Sequence, residues 1–404
     1  MTASPASPQI ARAINDRLAL DLLVEHGELS APQLRELTGL SRPSVSDLLE
    51  RLQESGLVRV VGESGESRRG PNAKVYGLVT TKAYVAGVDL RGGAIHVGLA
   101  DVSGHTVAVA RRTITDSQPL AALIRRAVCD AARKVDVDPS ALHTVVVGAP
   151  GAIDQKTGEL LPGYRFPGWD DKLLPELVDA LDVPIVLENE VNLAGVVELH
   201  HGAGAGRQEL AVLWLDRSVG ASIIMGGRLR QGVSGGAGEV GKLALPGASL
   251  PRAGKATGGL HALVSDKAVL ELAAAHGLPQ GSVADVVRDA CESDSEAAAA
   301  FVDELATRIS FGALGLAAVV DPGLIVLAGD VGIAGDVTLA AKVAEHLHEM
   351  DATPTEVSPS TLTEDPIVGG AVLTALRIAH DDIFGGAEAA AWSELAESAD
   401  AAAQ

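Results

Sequence analysis

SAPQLRELTGLSRPSVSDLLERLQESG, residues 30–56, reads as two helices joined by a tight turn. Ser30 stands where a helix N-cap receives backbone N–H groups, Pro32 falls early enough for its missing N–H to cost little, and Leu34 and Leu37 face one way until Gly39. Gly39-Leu40-Ser41 ends in a second cap, and Val45, Leu48, Leu49 and Leu52 then make an i, i+3, i+4, i+7 stripe closed by Gly56. Outward from this pair, Ile14, Leu18, Leu22 and Leu23 recur at helical spacing before Gly27, which predicts a preceding helix. Downstream, Leu57 to Val61 and Val75 to Val79 read as two strands around a loop over 62–73. A small interaction bundle would account for the helices, but not for cap, turn, stripe and paired strands together. Residues 1–81 are therefore expected to form a winged helix-turn-helix.

The face of the third helix opposite its apolar stripe carries Arg42, Ser44, Ser46 and Asp47, short polar groups and one fork of donors suited to base edges and phosphates. The loop between the strands carries Arg68 and Arg69, with Lys74 at its edge, so the wing has basic tips. Double-stranded DNA is the partner this module predicts.

The net charge of -21 opposes that reading until it is divided along the chain. Residues 1–82 hold ten Lys/Arg and ten Asp/Glu, leaving 22 basic against 43 acidic residues for the rest and thus the whole excess. An acidic body follows a neutral module, and DNA contact is expected to rest on a few local cations and to weaken as salt rises. The longest apolar run, Phe311 to Val320, is too short for a membrane span. The first ten residues lack the basic start and apolar core of a secretory signal, which predicts a cytoplasmic chain. Cys129 and Cys291 stand far apart with no ligand-spaced partner, so neither a disulfide nor a metal site is expected.

From Tyr84 the pattern changes. Val85 to Leu90 and Ile95 to Asp101 are apolar strands joined by Arg91-Gly92-Gly93-Ala94, a hairpin of the kind whose backbone can approach a phosphate. Thr144 to Gly148 and Pro184 to Leu187 are further short strands separated by helical stretches, an alternation that favours α/β layers. A second strand-and-hairpin set starts at Ala211 to Leu215 and Ala221 to Met225, which predicts two lobes over residues 82–380. The segment 381–404, rich in Ala and acidic residues and free of Lys and Arg, is expected to be a frayed or disordered tail.

Five motifs in this order resemble the ROK family (repressors, open reading frames and kinases): Asp89-Leu90-Arg91-Gly92-Gly93, Gly148-Ala149-Pro150-Gly151-Ala152-Ile153-Asp154, Pro167-Gly168-Trp169, Glu188-Asn189-Glu190-Val191-Asn192 and Gly238-Glu239-Val240-Gly241. The resemblance spans about residues 10 to 380. It implies an actin-like, sugar-kinase-type (ribonuclease H-like) α/β fold whose two lobes enclose a sugar cleft, and it places Arg165, Asn189, Glu190, Glu239, Lys242 and His261 at that cleft.

The chain also departs from the family. The kinases carry an Asp as general base where Glu190 stands here, and the extra methylene displaces the carboxylate by about a bond length, a shift that can cost roughly a hundredfold in rate. The second nucleotide loop reads Asp216-Arg217-Ser218-Val219-Gly220-Ala221-Ser222, and side chains such as Arg217 or Val219 are expected to crowd the phosphates. The family's zinc site uses a His and three Cys; this chain has Lys242 and no cysteine from Leu250 to Ser265, so no metal is expected. The resemblance thus implies a regulator with no cofactor and with kinase activity lost, in which a body that binds a sugar or phosphosugar controls a DNA-binding front end. Basic Arg165, Lys242 and His261 point toward a phosphorylated or acidic sugar. Two-fold reading of an operator predicts a homodimer or a tetramer. The alternatives are a sugar kinase with a regulatory front end, and a DNA-binding protein whose body only oligomerises.

Overall fold

The computed structural model describes residues 8–385 apart from 65–72, 92, 116–117, 155, 162–168, 170–171, 246–247, 253–254, 256, 352–353 and 363–364. The N-terminal module consists of α1 (Pro8–His26), β1 (Leu29–Ser30), α2 (Ala31–Thr38), α3 (Arg42–Glu54), β2 (Val58–Ser64) and β3 (Ala73–Leu78). Both expected caps form. The Ser30 backbone N–H donates to Gln33 Oε1 at 2.9 Å, and Ser41 Oγ accepts the Ser44 N–H at 3.3 Å at the start of α3. Val45, Leu48, Leu49 and Leu52 are each at most 4% exposed, so the predicted stripe is the face by which α3 packs. Arg51 on its side reaches back to Asp16 of α1 at 2.6 Å. Two details escaped sequence reading: the strands extend further into the wing than expected, and a two-residue strand, Leu29–Ser30, pairs with Tyr76 and Val75.

The body follows with β4 (Tyr84–Asp89), β5 (Ala94–Asp101), β6 (Thr106–Thr113), α4 (Leu120–Arg133), β7 (Leu142–Ala149), α5 (Leu173–Leu181), β8 (Ile185–Asn189) and α6 (Glu190–His201). Then come β9 (Leu210–Leu215), β10 (Val219–Met225), β11 (Arg228–Leu229), α7 (His261–Val264), α8 (Asp266–Ala275), α9 (Val283–Glu292), α10 (Glu296–Val320), β12 (Leu324–Ala328), α11 (Gly329–Met350), β13 (Glu356–Pro359) and α12 (Pro366–Phe384). Two five-stranded sheets result, in the orders β6-β5-β4-β7-β8 and β11-β10-β9-β12-β13. In each, an antiparallel hairpin joins a parallel run: β4 pairs parallel with β7 as β9 does with β12. The strand-and-hairpin pattern read twice in the sequence is thus the same half-fold built twice.

Each sheet buries one face under outer helices, α4 and α5 on the first lobe and α7 to α11 on the second. A third apolar cluster lies between the lobes. It gathers Val85 and Val146 from the first sheet, Val212, Trp214 and Val326 from the second, and the inner faces of α6 and α12. Those two helices are the layer that joins the lobes. The last of them also corrects the expected boundary at 380: α12 runs on through Asp381 to Phe384, and Phe384 is 7% exposed within the apolar cluster of the N-terminal module. Residues 386–404 of the acidic segment lie outside the described residues. Among the described residues no helix is long and apolar enough to cross a membrane.

Candidate ligand cleft and DNA-binding face

A cavity of about 570 Å³ opens between the lobes. Its walls come from the turn after β7 (Pro150 to Ala152), the first turn of α6 (Asn189 to Asn192), the start of β10 and the loop 234–242, with Lys255, Thr257 and His261 beyond. Asn189, Glu190, Glu239, Lys242 and His261, read from motifs up to 72 residues apart, all line it. Arg165 lies outside the described residues.

Asn189 is held rigidly. It caps α6, its Oδ1 accepting from the Val191 and Asn192 N–H groups at 2.9 and 3.1 Å, while its Nδ2 donates to the Gly151 carbonyl at 2.8 Å. One residue before it, Glu188 is 5% exposed and accepts from Asn192 Nδ2 and the Asn189 N–H, and also from Gln231 at the base of the glycine-rich loop. Burial pushes its carboxyl pKa up. Glu188 belongs to the quoted motif but was passed over as a site residue, because nothing local marks a carboxylate that works by tying two walls together.

Glu190 opens the helix and faces the cavity, with Ser218 Oγ at 3.5 Å. Burial, and then the carboxylates of Asp89 and Asp216, push its pKa to about 7 against the partial relief from Arg91 and Arg217. The folded state therefore holds this proton more tightly than the unfolded chain, and stability is lost as pH rises from the ordinary carboxyl range through 7. We expect Glu190→Gln to melt close to the unaltered chain at pH 4.5 and to be more stable by on the order of 2–3 kcal/mol at pH 8. A stability difference that does not change with pH would rule this out.

The cleft is less basic than the sequence predicts. Lys242 Nζ is 3.0 Å from Glu239 Oε2, an i, i+3 ion pair, and burial lowers the His261 pKa, disfavouring the charged ring. The cation that sequence reading missed is Lys255.

Around the β4–β5 hairpin, acidic and basic side chains meet. Arg91 of the β4–β5 hairpin reaches Asp89 at 2.8 Å and Asp365 at 2.7 Å, and its guanidinium lies 5.8 Å from the Trp214 ring centroid. The arginine of this hairpin is thus engaged by two carboxylates and an indole ring. Nearby, Asp216, Asp266 and Asp330 bring one carboxylate oxygen each within 4.8 Å of one another. Burial first, then mutual repulsion, raises Asp266 to about 6 and moves Asp330 in the same direction. Of the two side chains expected to crowd the phosphates, Arg217 is exposed, whereas Val219 is 8% exposed and packs into the second lobe's core. Val219 sits on the inward register of β10, which a motif comparison does not resolve.

On the module, Arg42, Ser44, Ser46 and Asp47 are exposed along one side of α3, and Lys74 is exposed on β3. The Ser44 hydroxyl also meets Ser41 Oγ at 2.9 Å. Arg68 and Arg69 lie outside the described residues.

Residues 85–377 match the ROK family and residues 14–70 the MarR family. The glucokinase of Halalkalibacterium halodurans is 28% identical over 71% of this chain and 93% of its own length. The xylose repressor of Caldicellulosiruptor bescii is 25% identical over 57% of this chain and 58% of its own, and that of Bacillus subtilis 24% over 59% and 62%. Among solved structures, a ROK family transcriptional regulator described as a homolog of the E. coli MLC protein superposes with a TM-score of 0.72, covering 94% of this chain and 98% of that one at 16% identity. The ROK hexokinase of Thermus thermophilus gives 0.63 over 74% of this chain and 99% of its own at 24% identity. These two likenesses establish the fold: a winged helix ahead of a two-lobed sugar-kinase-type body.

Proposed function

The chain belongs to the ROK family, and from that membership we propose that it is a DNA-binding transcriptional regulator, a repressor, whose body responds to a sugar. One observation carries the reading: a helix-turn-helix with paired wing strands and an exposed third-helix face precedes a sugar-sized cavity between the lobes, beside which Arg91 is engaged by Asp89 and Asp365. Relatives named xylose repressor support a sugar as the effector. Asn189, Glu190 and Glu239 supply the donors and acceptors that fix hydroxyls in a cleft. Lys242 is paired to Glu239, burial disfavours the charged form of His261, and the carboxyl groups of Glu190 and Glu239 stand against Lys242 and Lys255 in the lining, a balance that favours a neutral sugar over the phosphorylated one the sequence suggests. Two such chains reading two half-sites would act as a homodimer on the operator, in the cytoplasm.

A second reading has support from the glucokinase relatives: an ATP-dependent sugar kinase with a DNA-binding front end. Against it stand the longer Glu190, the arginine on the hairpin, and three carboxylates that repel a polyphosphate. A coupled assay with ATP across common pentoses and hexoses separates the two. We expect no turnover by the unaltered chain, and binding of a neutral sugar in calorimetric titration; steady phosphorylation would establish the kinase, and binding of phosphosugars alone would reverse the charge assignment.

A further inference from the structure

Helix α12 runs from the Arg91–Asp365 ion pair, whose arginine also acts on Glu190 at the cleft, to the DNA-binding module as one element of 19 residues, about 28 Å long. At its first turn Asp365 caps the helix, accepting the Ile367 N–H at 3.3 Å, and its carboxylate meets Arg91 at 2.7 Å and His96 at 3.2 Å. Arg91 in turn spans the lobes, bound to Asp89 on the first and lying over Trp214 on the second. A change in the angle between the lobes therefore acts on the ion pair that holds the start of α12.

Over its first turns, the helix has no room to move independently. A Cβ at Gly370 would stand 2.0 Å from the Leu193 carbonyl of α6, and one at Gly87 of β4 would stand 2.7 Å from the Val368 carbonyl. Backbone rests on backbone at both places, so α12 moves with α6, whose first turn carries Asn189, Glu190 and Asn192 at the cavity. At its far end the helix supplies part of another unit's core. Phe384 and Ile383 join Leu20, Leu23 and Leu49 in the module's apolar cluster. The His380 ring stacks on Phe384 with centroids 4.6 Å apart and bonds the Val102 carbonyl at 2.7 Å. Arg17 of α1 binds Asp381 at 3.0 Å and the His380 carbonyl at 3.3 Å, with its guanidinium 5.9 Å from the Phe384 ring.

We propose that α12 is the coupling element of this protein: the Arg91–Asp365 pair registers the state of the cleft, and the Arg17–Phe384 contact delivers it to the DNA-binding module. The use of that coupling in regulation rests on the function proposed above; the mechanical link does not. A bistable element that both sites bias is what coupling between distant sites requires, and the influence must run in both directions.

Amide hydrogen exchange on the full chain, read by mass spectrometry, tests it without any ligand. Asp365→Asn weakens the cleft end; amides of α1 and α3 are expected to exchange at least about threefold faster, and Phe384→Leu is expected to speed residues 366–372 by a similar factor. Asp130→Asn, which releases Arg112 and Arg133 in the same lobe away from α12, serves as the control and should leave α1 and α3 unchanged. Changes confined to the mutated end, or equal effects from Asp130→Asn, would overturn the proposal. Should Asp365→Asn not fold, the Phe384→Leu arm decides by the same criterion at 366–372. An unaltered chain that binds no genomic DNA would refute the regulator reading and leave these exchange rates where they are.

Discussion

Gly238→Ala is expected to weaken sugar binding roughly a hundredfold while the module still binds DNA. Gly238 has φ +84°, in the left-handed region, and a Cβ built there would lie 1.9 Å from the Ala221 carbonyl oxygen. The same two residues are joined by the Ala221 N–H donating to the Gly238 carbonyl at 2.7 Å, so the loop cannot retreat without breaking its tie to β10. Strain from the positive φ, on the order of 1–3 kcal/mol, adds to about 1 kcal/mol for the lost hydrogen bond. The loop must then leave its position, and Glu239 and Lys242 leave the cavity wall with it. A loss of about 3 kcal/mol in binding is roughly a hundredfold in Kd, measurable by calorimetry with the best neutral sugar. Retention of wild-type sugar affinity would mean that the loop 234–242 takes no part in the site.

Arg42→Ala carries the second large effect, on the other face of the protein. Arg42 opens α3, exposed, with Ser46 one turn further along the same side. A cation at a helix N-terminus opposes the helix dipole, so Arg42 does not serve the module's stability. Its removal is expected to cost about 1–3 kcal/mol of operator affinity and to loosen base preference, with no fall in melting temperature. Lys74→Ala on the wing should instead weaken binding evenly across sequences and reduce the salt dependence. Arg69→Ala is expected to do the same. Equal specificity profiles for Arg42→Ala and Lys74→Ala would refute the assignment of α3 as the reading helix.

The module was legible because its signals are local. Caps at Ser30 and Ser41 and the stripe from Val45 to Leu52 fall within a turn or two of one another, and the folded helices follow them closely. The two lobes were legible because one strand-and-hairpin pattern occurs twice. The residues of the cleft came from the family resemblance, which brings Asn189 and His261 together with no periodic signal linking them. What escaped is long-range pairing. Arg91 and Asp365 are 274 residues apart, and Arg17 and Asp381 are 364 apart. Neither pair has a sequence mark beyond the presence of opposite charges. Lys242 shows a different failure: it was read as a lone cation, although Glu239 three residues earlier on the chain already offered a partner.

If the body is the input and the winged module the output, operator affinity must change when sugar is added. The full chain would be titrated onto the genomic fragment it occupies most strongly, found by mapping bound DNA, in the presence of each common pentose and hexose. One neutral sugar is expected to weaken the unaltered chain at least about fivefold and to leave Gly238→Ala unmoved. A sugar that binds the body but shifts the operator affinity of neither protein would show that the body does not control the module.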